Sequence, residues 1–165
     1  MGLFQFFNPI PKLKRKIAMY KHILVATDGS ALSKLATTKA IELASELGSQ
    51  LTIVNVIPRI MNSLFDGSFS IPAKQKIELM GKLTDSAQFI VDRVQKDAEK
   101  AGVNAKTLVI KSNIVSDAII NTATKKNVDL IVMASHGRNG INRLLLGSET
   151  LQVLTHSDIA VLVLR

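Results

Sequence analysis

Cysteine is absent from the chain, and so is tryptophan. The first absence excludes a disulfide framework and any thiolate metal site, and it fits a reducing compartment. Aromatic residues make up only 4% of the sequence, and three of the six Phe (Phe4, Phe6, Phe7) lie at the extreme amino terminus. Few rings are left on which nucleobases could stack, which argues against a nucleic-acid surface. No apolar run approaches the roughly 20 residues of a membrane helix. Acidic residues are missing altogether from residues 1–21, where Lys12, Lys14, Arg15, Lys16 and Lys21 stand, so five of the +8 formal charges belong to that stretch. The basicity is therefore mostly that of a tail, and no specific nucleic-acid partner is expected.

That tail, "MGLFQFFNPIPKLKRKIAM", places its apolar residues before its charges, the reverse of a secretory signal. Residues 1–19 are read as a disordered extension, or as an over-long start ahead of "MYKHILVATDGS". The functional alternative is a weak peripheral anchor, with Phe and Leu entering a membrane interface and the Lys/Arg cluster meeting anionic lipid.

What the sequence does have is 165 residues, 47% hydrophobic and 21% charged, enough for one globular domain over residues 20–165. "HILVAT" (22–27) is a short apolar run of the kind expected in a buried parallel strand. Asp28, Gly29 and Ser30 form a turn with capping chemistry. Leu32, Leu35, Ala36, Ala40, Leu43, Ala44 and Leu47 then recur at helical spacing, and Gly48 is placed to stop that helix. Strands are expected at 50–57, 105–111, 128–134 and 159–164. Residues 58–72, with two prolines, a glycine and three serines, read as a loop and a mobile flap. The next helix carries Ile77, Met80, Leu83, Ala87, Ile90, Val91, Val94, Ala98 and Ala101 on one face and ends near Gly102. A shorter helix around 115–126 ends at Asn127, and another covers about 148–156.

Five strands alternating with four helices predict an α/β fold: one doubly wound, mostly parallel five-stranded sheet with helices on both faces. In such a sheet the ligand crevice opens at the carboxyl ends of the strands, where the winding reverses. If the first and fourth strands are neighbours, Asp28 faces the stretch "ASHGRNGINRLLLGS" (134–148) across that crevice. Glycines there let backbone N–H groups approach an anion, and Gly147-Ser148 opens a helix whose unpaired N–H groups favour negative charge. The local alternatives are turn glycines at Gly137 and Gly140, a helix N-cap at Asp28, a solvated or backbone-bonded His136, and solvated Arg138 and Arg143. His22, His136 and His156 lack ligand-like clustering. No nucleophile, base and orienter set is found, and no Lys follows Gly147 as a Walker arrangement requires.

"HILVATDGSALSKLATTKAIELASELGSQLTIVNVI" and "VDLIVMASHGRNGINRLLLGSETLQVLTHSDIAVLVLR" resemble the universal stress protein family from Tyr20 to Arg165. Its nucleotide-binding branch is marked by glycine, two residues, glycine, nine residues, then Gly-Ser or Gly-Thr. Gly137, the nine residues 138–146 and Gly147-Ser148 match, while Ala134 occupies the first glycine position. The resemblance implies that Asp28 serves the metal (Mg²⁺ or Mn²⁺) and phosphates of bound ATP and that Ala26 and Thr27 line the same edge. It further implies that the Val56 backbone meets adenine, that Ala134 stands on the ribose side, and that Gly137, Gly147 and Ser148 bind phosphate; Met133 and Glu149 complete the cofactor-binding set. The expected protein is a cytoplasmic, ATP-binding homodimer joined through its carboxyl-terminal strand. It acts as a nucleotide-occupied signalling or protective module. The alternatives are a slow ATPase or autophosphorylating enzyme, with Ser148 among the candidate acceptors, and a member that no longer binds nucleotide and serves as an interaction module.

Overall fold

The computed structural model describes residues 19–59, 72–137 and 146–165. The readings of the amino-terminal tail, most of the 58–72 flap, Gly140, Arg138 and Arg143 lie outside the described residues. Five strands, β1 (His22–Ala26), β2 (Gln50–Ile57), β3 (Ala105–Lys111), β4 (Leu130–Ala134) and β5 (Ala160–Leu164), form one sheet in the order β3-β2-β1-β4-β5. Every pairing is parallel. Four helices connect them: α1 (Ala31–Leu47), α2 (Ala73–Lys100), α3 (Val115–Lys125) and α4 (Ser148–His156).

The strands are continuous apolar runs because both faces of the sheet are covered. Successive side chains alternate between the faces. Ile23 and Val25 pack with α1 and α2 through Ala36, Ala40, Val91 and Val94, whereas Leu24 packs with α3 and α4 through Ile119 and Val153. Local chemistry ends the helices where the residues suggest. Ser30 caps α1 by accepting from Ser33 N at 3.2 Å, and Gly48 closes it at φ 70. Asn127, at φ 52, turns the chain out of α3, and Val128 N then donates back to Ala123 O at 2.9 Å.

Three strand boundaries and one helix face need correction. β1 ends at Ala26 because Thr27 turns its hydroxyl to Ser33 Oγ and Gly29 N. β4 begins at Leu130, two residues later than expected. Val128 is consumed in closing α3, and the Asp129 carboxylate accepts from Lys21 N and His22 N at 2.8 and 3.1 Å. β5 begins at Ala160, because Ile159 N is held by Ser157 Oγ. The apolar face of α2 is buried only from Ala87 onward, and Ile77 is 74% exposed. A helix of 28 residues is about 42 Å long, whereas the eight residues of β2 span about 26 Å. Its first turns overrun the sheet. Among the described residues no helix is long and apolar enough to cross a membrane.

Candidate functional site

The chain winds outward from β1 through β2 to β3 and then returns to place β4 on the other side of β1, so the winding reverses between β1 and β4. A crevice is expected at the carboxyl ends of those two strands. On the β1 side, Thr27 N is held by Val54 O at 2.9 Å, and Gly29 makes a turn at φ 80 that a side chain would strain. Asp28 Oδ1 accepts from Ser30 N at 2.9 Å, an Asx turn that orients the carboxylate. The α1 cap is Ser30, so Asp28 is not the N-cap.

On the β4 side, the two ends of the loop are tied to each other. Gly147 N donates to Ser135 O at 2.8 Å, and Ser135 N donates to Leu164 O at 2.7 Å. The buried Thr150 hydroxyl donates to Ala134 O at 3.0 Å. Across the crevice, a Cβ placed on Gly137 would lie 2.8 Å from Asp28 Oδ2, so acid and loop backbone meet with no room for a side chain between them. A Cβ on Gly147 would lie 3.4 Å from both His136 Cα and Ser135 O. Neither glycine has left-handed backbone, and Gly147 sits at φ −62. Gly137 uses the small size of glycine, not its freedom to adopt φ > 0, whereas a methyl at Gly147 would sit at ordinary contact distance.

The structure therefore brings together Ala26, Thr27 and Asp28 with Ala134, Gly137, Gly147 and Ser148 at one end of the sheet. Val56 lies near the end of β2, one strand further out, paired with Ile110. Ala134 needs no positive φ, since Asn127 alone among the described non-glycine residues has one. Its methyl packs in the core with Val132 and the α1 alanines. Met133 is also a core residue, packed with Leu24 and Val153, so only its backbone could face a ligand. The Glu149 carboxylate accepts from Ser116 N at 2.8 Å. It satisfies a donor in the first turn of α3, a helix with no side-chain cap of its own. Gly147 N is committed to Ser135, which leaves the N–H groups of Ser148, Glu149 and Thr150 ahead of the first intrahelical bond, Leu151 N to Gly147 O. His136 Nδ1 lies 3.1 Å from Ser135 Oγ. Sequence reasoning missed Ser135 and Thr150. Both are polar residues buried at 2% exposure beside the glycine loop, and that polarity in an apolar setting was the available signal.

Comparison with known proteins places this geometry. The profile described as the Universal stress protein family matches residues 19–165. Universal stress protein MJ0531 of Methanocaldococcus jannaschii is 34% identical over 148 residues, covering 89% of this chain and 83% of that protein. The solved structure of MJ0577, from the same archaeon, superposes with a TM-score of 0.77 at 28% identity, covering 88% of this chain and 96% of the other. A universal stress protein from Archaeoglobus fulgidus, solved in complex with dAMP, matches with a TM-score of 0.61 over 88% of this chain and 98% of that one. At 18% identity this last likeness is one of fold alone.

Proposed function

The chain belongs to the universal stress protein family, and from that membership and the crevice geometry we propose that it binds ATP and acts as a nucleotide-occupied signalling or protective module in stress response. One observation carries the reading: the approach of Gly137 to Asp28, which sets a carboxylate against loop backbone at the switch point. Phosphates would lie between Asp28 and the N–H groups of Ser148 to Thr150, with adenine toward the Val56 backbone. Among the described residues no group of three or more His, Cys, Asp or Glu could hold a metal by itself. A single carboxylate fits Mg²⁺ or Mn²⁺ that takes its other ligands from phosphate and water. When bound, such an ion offsets phosphate charge.

Micromolar affinity needs about 8 kcal/mol. One helix terminus supplies at most about 2 kcal/mol, so the adenine slot, the metal and several N–H donors must act together. The competing reading, a member that binds no nucleotide, draws on the commitment of Gly147 N to Ser135 O. Two measurements separate them: analysis of nucleotide released on denaturing the purified protein, and calorimetry of nucleotide-free protein with ATP and magnesium. Micromolar, magnesium-dependent binding that Gly147→Val weakens at least tenfold supports the reading. No binding at millimolar ATP to folded protein ends it.

The proposal includes a homodimer through β5, an edge strand of the sheet on which Leu162 is exposed. A cytoplasmic location and a dispensable tail over residues 1–19 complete it.

A further inference from the structure

The opposite end of the sheet, where the strands begin, holds a concavity of about 330 Å³, at the lower end of the range of about 300–1,000 Å³ seen for small-ligand sites. Three lysines line it, Lys106 at the start of β3 and Lys125 and Lys126 at the end of α3, and no carboxylate does. We propose that this concavity binds a phosphate-class anion carrying two or more charges, at a site separate from the crevice by the length of the strands.

The floor is built before any ligand arrives. His22 Nδ1 lies 3.0 Å from Lys126 O and its Nε2 2.8 Å from Thr52 Oγ1, a buried hydroxyl. A carbonyl can only accept, so Nδ1 carries the proton and the ring is fixed in place. Gln50 N donates to Lys21 O, and Leu51 N to Asn104 O, both at 2.9 Å. The acid adjoining β1 at this edge, Asp129, has its two oxygens engaged by Lys21 N and His22 N. Lysine at a helix carboxyl terminus complements the dipole, and lysine on an edge strand blocks unwanted pairing. Neither role requires the three to share one concavity. Three lysines around one concavity with no carboxylate in its lining raise the local positive potential, which concentrates anions there. Concavity favours a small ligand or a single headgroup over an extended polyanion.

The test uses the full chain at low salt, with inorganic pyrophosphate and with vesicles containing phosphatidic acid as separate probes. Saturable pyrophosphate binding is expected, with amide shifts at Gln50, Asn104 and Asn127. It should weaken at least tenfold in the Lys106→Gln/Lys125→Gln/Lys126→Gln variant and persist in Gly147→Val. Vesicle binding lost in the triple variant, without pyrophosphate binding, assigns the phosphate to a lipid headgroup and also supports the site. Lys106 and Lys125 are exposed and Lys126 is half-buried, so the triple variant should melt close to the parent; Lys106→Gln alone, with a smaller loss, is the fallback. A triple variant indistinguishable from the parent in both arms, or shifts confined to residues 27–30 and 146–150, overturns the proposal.

Discussion

Adding one methyl group at Gly137 tests the crevice directly. In Gly137→Ala the new carbon would lie 2.8 Å from Asp28 Oδ2 and 3.7 Å from its Cγ. A carbon and an oxygen that do not bond settle about 0.5 Å further apart, so something must yield. If the carboxylate turns away, Oδ1 leaves Ser30 N, with which it makes a 2.9 Å bond. A hydrogen bond to a charged group contributes about 1.5–3 kcal/mol when buried, and half-exposed Asp28 falls toward or below the lower figure. If instead the exposed backbone at Gly137 moves, the fold loses little. Stability should therefore drop by under about 1 kcal/mol, a melting shift of at most about 4 °C in a domain of this size.

Binding is affected more, because either response spoils the approach of acid and loop. Magnesium-dependent ATP affinity should fall at least tenfold, about 1.4 kcal/mol. Gly147→Ala, whose methyl meets its neighbours at an ordinary 3.4 Å, should cost threefold or less. A double-mutant cycle isolates the cause: in an Asp28→Ala background the Gly137→Ala penalty should largely vanish, because its collision partner is gone. Additive losses in calorimetry, or a larger effect at Gly147→Ala, would refute the reasoning.

Glu149→Ala should destabilise the fold by about 1 kcal/mol, since it strips the 2.8 Å acceptor from Ser116 N at an otherwise uncapped helix start; an unchanged denaturation midpoint would contradict that role. Removing residues 1–18 should shift the melting temperature by less than about 5 °C, since the sheet of five strands is complete without them. Binding to anionic vesicles before but not after truncation would identify the tail as an anchor. Leu164 O points to β4, so strand alternation turns the Val161 N–H toward the free edge. Val161→Pro should then abolish a β5 dimer in light scattering without breaking the β4 ladder, and a monomeric parent at tens of micromolar counts against the dimer itself.

The strands and helix ends were legible because each signal is local. Runs such as 50–57 are apolar on both faces and match β2 residue for residue, and Gly48 and Asn127 stop their helices by occupying left-handed backbone. The two-residue error at the start of β4 came from Asp129, whose carboxylate serves Lys21 and His22 more than one hundred residues earlier. The same holds at the crevice. Glycine spacing marked the loop, but spacing cannot distinguish a glycine needed for φ > 0 from one needed for close approach. Asp28 decides that question at Gly137, and Asp28 is remote in sequence. At Glu149, adjacency to Gly147-Ser148 speaks for the backbone N–H alone, since its carboxylate is engaged 33 positions away.

Ser135 shows where this leads. Its N–H donates to Leu164, the last residue of β5, and its carbonyl accepts from Gly147 at the far end of the loop. The strand proposed to pair with a second copy and the loop proposed to hold phosphate are thus fastened to the same buried residue. A displacement of β5 at Leu164 pulls on Ser135, and Ser135 sets where Gly147 and the first turn of α4 stand. If nucleotide binding and β5 pairing are coupled through that anchor, each changes the affinity of the other by the same factor. On the proposed function, a variant that shifts ATP affinity through Ser135 should then shift dimer strength as well. A change in either is interpretable only when both are measured on the same variant.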